Sequence, residues 1–153
     1  MHIETILAPR RAICGFKGGS KKRVLEGLAQ TIAQDVPSID ADEVFKRLIG
    51  RERLGSTGIG EGIAIPHCRV ANCTETTGAL ITLASPIDYD AIDQEPVDII
   101  FALLVPEEAT DEHLQILAEL AGALANADYR NRLRSAQDNE TLFNAALALS
   151  AEA

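Results

Sequence analysis

Tryptophan is absent from this chain, aromatic residues make up 4% of it, and there is one methionine. A core built from these 153 residues therefore rests on Leu, Ile, Val and Ala packing, with few stacked rings. Long apolar runs are missing too. The best of them, Ile99 to Val105, is far short of the ~20 residues a bilayer-spanning helix needs, so no membrane insertion is expected. The opening Met1-His2-Ile3-Glu4 lacks the charged start and apolar stretch of a secretory signal, which points to the cytoplasm. Cysteines are few and odd in number. Cys14, Cys68 and Cys73 cannot all pair, and in a reducing compartment they are expected as free thiols.

Positive charge is also in short supply, with 14 Lys+Arg against 23 Asp+Glu and a net charge of -9. Nucleic acid is itself a polyanion, and binding it needs a basic footprint that releases counterions. The local basic runs, Lys21-Lys22-Arg23 and Arg130 to Arg134, are short, so no DNA- or RNA-binding role is expected. A partner with a basic surface suits the overall charge better. What remains is an ordinary globular balance: 46% hydrophobic, 24% charged, 11 glycines and 6 prolines. The length suggests one domain over 1–153, able to bury roughly 70% of its extended-chain surface.

Helical spacing appears after Gly18-Gly19, where Ser20 can cap a helix presenting Val24, Leu25, Leu28 and Ile32 on one face. A second helix starts at Asp40, with Glu43 three residues on as in a capping box, and carries Val44, Phe45, Leu48 and Ile49. It should end near Arg51 to Leu54. Glycines at 55, 58, 60 and 62 then exclude a stable helix and suggest turns with two short strands, the second halted by Pro66. Gly78 to Ala84 and Val97 to Val105 are nearly continuous apolar runs, the pattern of strands covered on both faces. The Asp-rich stretch Ser85 to Glu95 between them reads as a connection with a short edge strand. The last third is helical. Leu114, Leu117, Leu120, Ala121 and Leu124 form one stripe beginning near Thr110 or Asp111. A short helix spans Asp128 to Ala136, and Asp138 can cap a final one with Leu142, Phe143, Ala146 and Leu149. The order is helices, strands, then helices. Without strict βαβ alternation, the expected fold is α/β, a mixed sheet sandwiched between helices.

Three histidines limit the candidate chemistry. His2 sits at the terminus and is discounted. His67 follows the glycine-dense segment at what reads as a strand end, where a neutral imidazole is accessible as a nucleophile and nearby backbone N–H groups can approach an anion. An inconsequential surface histidine is the plainer reading of an isolated His. His113 falls in the first turn of its helix, where the dipole disfavours imidazolium. It could donate to a reacting oxygen or simply face water. Arg51, at a helix C-terminus, offers a planar fork of donors for phosphoryl oxygens, or merely complements the helix dipole. A metal site from His67, Cys68 and Cys73 lacks the usual ligand spacing, and no Gly-Lys-Ser/Thr marks a Walker loop.

The run Arg51-Glu52-Arg53-Leu54-Gly55-Ser56-Thr57-Gly58-Ile59-Gly60-Glu61-Gly62-Ile63-Ala64-Ile65-Pro66-His67 closely resembles the active-site segment of the IIA components of the phosphoenolpyruvate phosphotransferase system, of the mannitol/fructose class and most of all its nitrogen-regulatory branch. The likeness extends to Ser20-Lys21-Lys22-Arg23, to Asp90 through Asp98, to Phe101 through Pro106 and to His113-Leu114. It implies the mannitol/fructose-type IIA fold, one phosphoryl-carrier domain over 1–153, and a phosphohistidine on His67 at Nε2. It also implies that Arg51 and His113 flank that group, with Ser56, Thr57, Gly60 and Gly62 supporting the phosphate. No cofactor or metal is implied. The donor would be a small carrier such as HPr or its nitrogen-branch counterpart, and the protein a phosphoryl carrier rather than a small-molecule enzyme. Regulatory targets such as potassium transporters or sensor kinases would respond to phosphorylation state. A sugar-transport IIA feeding a separate IIB protein is the alternative, although the chain is too short to include a cysteine-bearing IIB domain. A binding module that is never phosphorylated is another. Cys68 stands where relatives often have glycine, a departure that could alter docking or add redox sensitivity.

Overall fold

The two long apolar runs pair with each other, and the rest of the molecule is arranged around that pair. In the computed structural model, which describes residues 3–109 and 112–152, strand β5 (Thr77–Ile87) lies antiparallel to β6 (Val97–Pro106), with Ala79 opposite Ala102 and Ile81 opposite Ile100. Side chains alternate across a strand. Ala79, Ile81, Ile100, Ala102 and Leu104 therefore enter one apolar cluster, and Leu80, Ile99, Phe101 and Leu103 enter the other. This is why neither strand shows a polar face.

The first cluster is closed by α1 (Lys21–Asp35) and α2 (Ala41–Glu52). Both caps form as expected: the Ser20 hydroxyl accepts from the Arg23 N–H at 3.2 Å and the Asp40 carboxylate from the Glu43 N–H at 3.2 Å. Val24, Leu25, Leu28 and Ile32 of α1, with Val44 and Leu48 of α2, are fully buried there. The second cluster is closed by α3 (Glu112–Leu124), α4 (Ala127–Ser135) and α5 (Asn139–Glu152), with a 3-10 turn at Ile3–Thr5. Asp138 caps α5 by accepting from the Thr141 N–H at 2.7 Å. His2, the Thr110 or Asp111 start of α3 and the Leu149 side chain lie outside the described residues.

Four further pairings complete a six-stranded mixed sheet of order β1-β5-β6-β3-β2, with β4 also on β6. Strand β3 (Ile63–Ala64) runs parallel to β6 and antiparallel to β2 (Gly58–Gly60), and β4 (His67–Val70) continues beside β6 in parallel, with His67 opposite Leu103. The sheet sandwiched between helices is as the sequence suggests, but the order of elements is not. A strand, β1 (Ala12–Phe16), precedes the first helix and pairs in parallel with β5. Its signal is weak because it is five residues long and its pairing shifts register around Gly15, whose φ is +72°. Pro66, lacking an N–H, separates β3 from β4 without ending the pairing, since its carbonyl accepts from the Leu103 N–H at 2.9 Å. His67 therefore opens a strand instead of closing one. The Ser85 to Glu95 connection holds no separate edge strand: β5 runs on to Ile87, and Asp88 and Asp93 then accept from the N–H groups of Asp90 and Glu95 in tight turns.

The stripe on α3 also needs correction. Leu120 and Leu124 are fully buried, Leu117 is half-buried, and Leu114 is 56% exposed. Leu120→Ala should cost ~2–5 kcal/mol in urea unfolding, whereas Leu114→Ala should change stability by no more than ~0.5 kcal/mol. Equal losses would show that the buried face of α3 is misassigned.

Candidate functional site

Three chain segments meet at the open end of β4. His67 is the first residue of that strand, placed by its pairing with Leu103 of β6. Arg51 sits in the last turn of α2, which packs beside β4. His113 lies near the start of α3, and the chain leading to it is tied down by Arg69, whose Nη1 donates to the carbonyls of Glu107 at 3.3 Å and of Ala109. Together Arg51, His67 and His113 line one cleft of about 480 Å³, with Leu103, Val105 and Leu117 forming part of its apolar wall.

The half-buried His67 ring has one nitrogen committed. Its Nδ1 lies 2.8 Å from the Ile65 carbonyl, an oxygen that can only accept, so the proton is on Nδ1 and the lone pair of the neutral ring is on Nε2. Burial lowers the ring's pKa below 6.5, opposed by the Ile65 hydrogen bond. The Arg51 cation and His113 push the same way as burial, and Glu52 pushes against them. The net shift is downward, so the ring is neutral near pH 7. Such a group can act as a nitrogen nucleophile without first losing a proton.

The surroundings are cationic despite the net charge of -9. Lys46, Arg47 and Arg69 join Arg51 in the cleft lining. Arg47 lies 3.8 Å from Glu43 and 3.7 Å from Glu107, distances too long for a tight ion pair. Low-dielectric walls lined by one sign of charge concentrate the field, so this opening favours an anion. Overall acidity suggests a basic-surfaced partner, but the rim of this cleft does not match that description.

Ser56, Thr57, Gly60 and Gly62 lie outside the cleft lining. The Ser56 hydroxyl donates to the Tyr89 carbonyl at 2.9 Å and accepts from the Gly58 N–H at 3.0 Å. Thr57 is buried, and its hydroxyl donates to Glu52 at 2.6 Å. Gly60 and Gly62 shape the β2–β3 turn, with φ of +102° and +79°. A Cβ at Gly62 would also lie 2.4 Å from Arg134 Nη2 and 2.8 Å from Asp98 Oδ1, so that ion pair would have to shift. Sequence reasoning misses Lys46, Arg47, Arg69 and Glu52. Each reads as an isolated surface charge until the fold brings it to the site.

Cys68 also lines the cleft, but burial pushes its thiol up to about 12. It packs against the first apolar cluster. Among the described residues, no group of three His, Cys, Asp or Glu side chains could hold a metal ion. No helix of the described residues is long and apolar enough to cross a membrane.

The mixed sheet, its two helical layers and this cleft define the class. The chain belongs to the EIIA 2 family of the phosphoenolpyruvate-dependent sugar phosphotransferase system, matching it over residues 5–147. The nitrogen regulatory protein of Pseudomonas aeruginosa is 50% identical over 143 residues, covering 94% of this chain and 93% of its own. The crystal structure of the nitrogen regulatory protein IIA-Ntr from Neisseria meningitidis superposes with a TM-score of 0.86 at 40% identity, covering 94% of this chain and 97% of that one. The mannitol IIA of Escherichia coli, at 17% identity, shares the fold with a TM-score of 0.74, covering 90% of this chain and 96% of that one. The resemblance carried by the Arg51–His67 run is thus borne out.

Two titrating groups make the site testable. His67 has a lower pKa folded than unfolded, so the unfolded chain binds its proton first as pH falls. Its contribution to stability is full above about pH 6.5 and is lost as pH falls through the folded value. Acid unfolding of wild type and His67→Gln should diverge in that window, and identical pH profiles would contradict the shift. For Cys68, burial holds the thiol in its protonated form at pH 8. Iodoacetamide should leave it unmodified in the folded protein and alkylate it in guanidinium. Rapid alkylation of the native form would show that the thiol is not shielded.

Proposed function

We propose that this protein accepts a phosphoryl group on Nε2 of His67 from an HPr-type phosphocarrier and controls regulatory partners through its phosphorylation state, as a nitrogen-branch IIA protein of the cytoplasm. The observation that carries this reading is the Nδ1 hydrogen bond to Ile65, which leaves Nε2 as the nucleophilic nitrogen of a neutral ring lining a cationic cleft. The name shared by the Pseudomonas and Neisseria relatives, which align with nearly the whole chain, supports the nitrogen branch over a sugar-transport IIA.

In the transfer, the Nε2 lone pair attacks the phosphorus of the donor's phosphohistidine. A new N–P bond forms as the donor's N–P bond breaks, and the donor imidazole leaves with the bonding pair. The positive charge gained by the His67 ring is spread towards Nδ1–H, where the Ile65 carbonyl stabilises it. Little covalent chemistry is asked of the protein beyond the nucleophile, and positioning and charge do the rest. Arg51 meets the phosphoryl oxygens and His113 donates to them. We assign Ser56, Thr57, Gly60 and Gly62 to holding the loop instead of touching phosphate. The attached group adds up to two negative charges to one face, enough to change which partner surface fits it without refolding. Potassium transporters and sensor kinases are the partner classes this reading favours.

Reconstitution with purified carriers and ³²P-labelled phosphoenolpyruvate tests this. His67→Ala should abolish labelling. Arg51→Ala should slow it ~100-fold while leaving the unfolding midpoint close to wild type. Labelling that persists in His67→Ala overturns the assignment. Onward transfer to a purified IIB protein, with no partner retained according to phosphorylation state, would favour the sugar-transport alternative.

A further inference from the structure

The last turn of α2 ends on a carboxylate that the transfer described above does not use. Glu52 follows Arg51 in sequence, yet its side chain is only 4% exposed. Its Oε1 accepts from Lys21 Nζ at 2.9 Å and from the Thr57 N–H at 3.0 Å, and its Oε2 from the Thr57 hydroxyl at 2.6 Å. Having given its proton to Glu52, the Thr57 oxygen accepts from the Tyr89 hydroxyl at 3.2 Å. Lys21 Nζ also sits 4.5 Å from the centroid of the Tyr89 ring. Donors from α1 and the loop before β2 thus occupy both carboxylate oxygens. A buried ion pair is a weak source of stability, because burying the charges costs about as much as pairing them returns. Its position suggests a more specific use.

The connection runs through the loop after α2. The Leu54 N–H bonds the Arg51 carbonyl and the Gly55 N–H bonds the Glu52 carbonyl, each at 3.1 Å. The Arg51 guanidinium in turn donates from Nη1 to the Gly55 carbonyl at 2.9 Å. One short loop is therefore pinned by Glu52 at Thr57 and grips Arg51 at Gly55. Ser56 braces the same loop through the Tyr89 carbonyl.

We propose that Glu52 is a positioning residue for phosphoryl acceptance: by pinning Thr57 together with Lys21 and Tyr89, it holds the loop whose Gly55 carbonyl aims the Arg51 guanidinium into the His67 cleft. The inference rests on the reading of His67 as acceptor and Arg51 as its phosphoryl clamp. Glu52 does not touch the reacting atoms; beside its charge effect on the His67 ring, it positions the site through Arg51.

Phosphoramidate, a small phosphoryl donor, tests this on the full chain without a carrier protein. Phosphohistidine at position 67 is followed by mass spectrometry at alkaline pH. Thr57→Val, which keeps the shape and removes the hydroxyl link, should slow labelling ~10-fold, and Thr57→Ser should retain the wild-type rate. In an Arg51→Ala background, Thr57→Val should cause no further loss, because both changes remove the same clamp. Glu52→Gln should slow labelling at least as much as Thr57→Val. If it fails to fold, the Thr57 and Arg51 cycle decides the matter by itself. A wild-type rate in Thr57→Val, or an equal loss with and without Arg51, overturns the positioning role. Failure of the wild type to label at His67, or an Arg51→Ala rate equal to wild type, instead overturns the acceptor reading beneath it.

Discussion

One hydrogen bond decides which nitrogen of His67 carries the lone pair of the neutral ring. The Ile65 carbonyl, two residues back along the chain, accepts from Nδ1 at 2.8 Å. Its position is set by the backbone on either side of Pro66, where β3 and β4 meet the same neighbour, β6. A backbone acceptor does not change protonation or rotamer, so it enforces the tautomer more firmly than a side chain could. The lone pair is then left on the other side of the ring. In the proposed transfer, the same carbonyl would stabilise the charge that the ring gains as that lone pair is used. The sheet thus sets the tautomer by holding one oxygen in place.

The electrostatics of the cleft run against those of the whole chain. The molecule carries a net charge of -9, while Lys46, Arg47, Arg51 and Arg69 line the opening where His67 lies. Arg51 acts on the ring in two ways. Its charge helps keep the imidazole unprotonated, and the same charge would favour the phosphoryl oxygens. Burial of the ring works with Arg51 in the first effect. A cation that repels a proton but attracts a dianion would suit both the free protein and the proposed phosphoryl-loaded one.

Much of the fold is legible in the sequence because its signals are local. The continuous apolar runs of β5 and β6 announce a sheet covered on both faces, and Ser20, Asp40 and Asp138 mark helix starts that the structure confirms. β1 is not legible, because five residues interrupted by a positive-φ glycine carry no clear alternation. Leu114 matches the helical stripe by spacing but lies on the exposed side, where only packing could place it. At the site, the motif points to His67, Arg51 and His113, and the structure brings all three to one cleft. The hydroxyls of Ser56 and Thr57 lie beside glycines and so look available to phosphate. Their partners, Tyr89 and Glu52, come from a distant connection and from the end of a helix, pairings that no sequence spacing encodes. Arg69 is equally hidden, because its role depends on the parallel alignment of β4 with β6.

Long-range ¹⁵N–¹H correlation spectra of the His67 imidazole report directly which ring nitrogen is free. Spectra of the free protein near neutral pH and of the phosphoryl-loaded protein make the test. A neutral ring protonated on Nδ1 before loading, and an Nε2–phosphorus bond afterwards, are the expected results. A ring protonated on Nε2, or a phosphoryl group found on Nδ1, would contradict the role given to the Ile65 carbonyl.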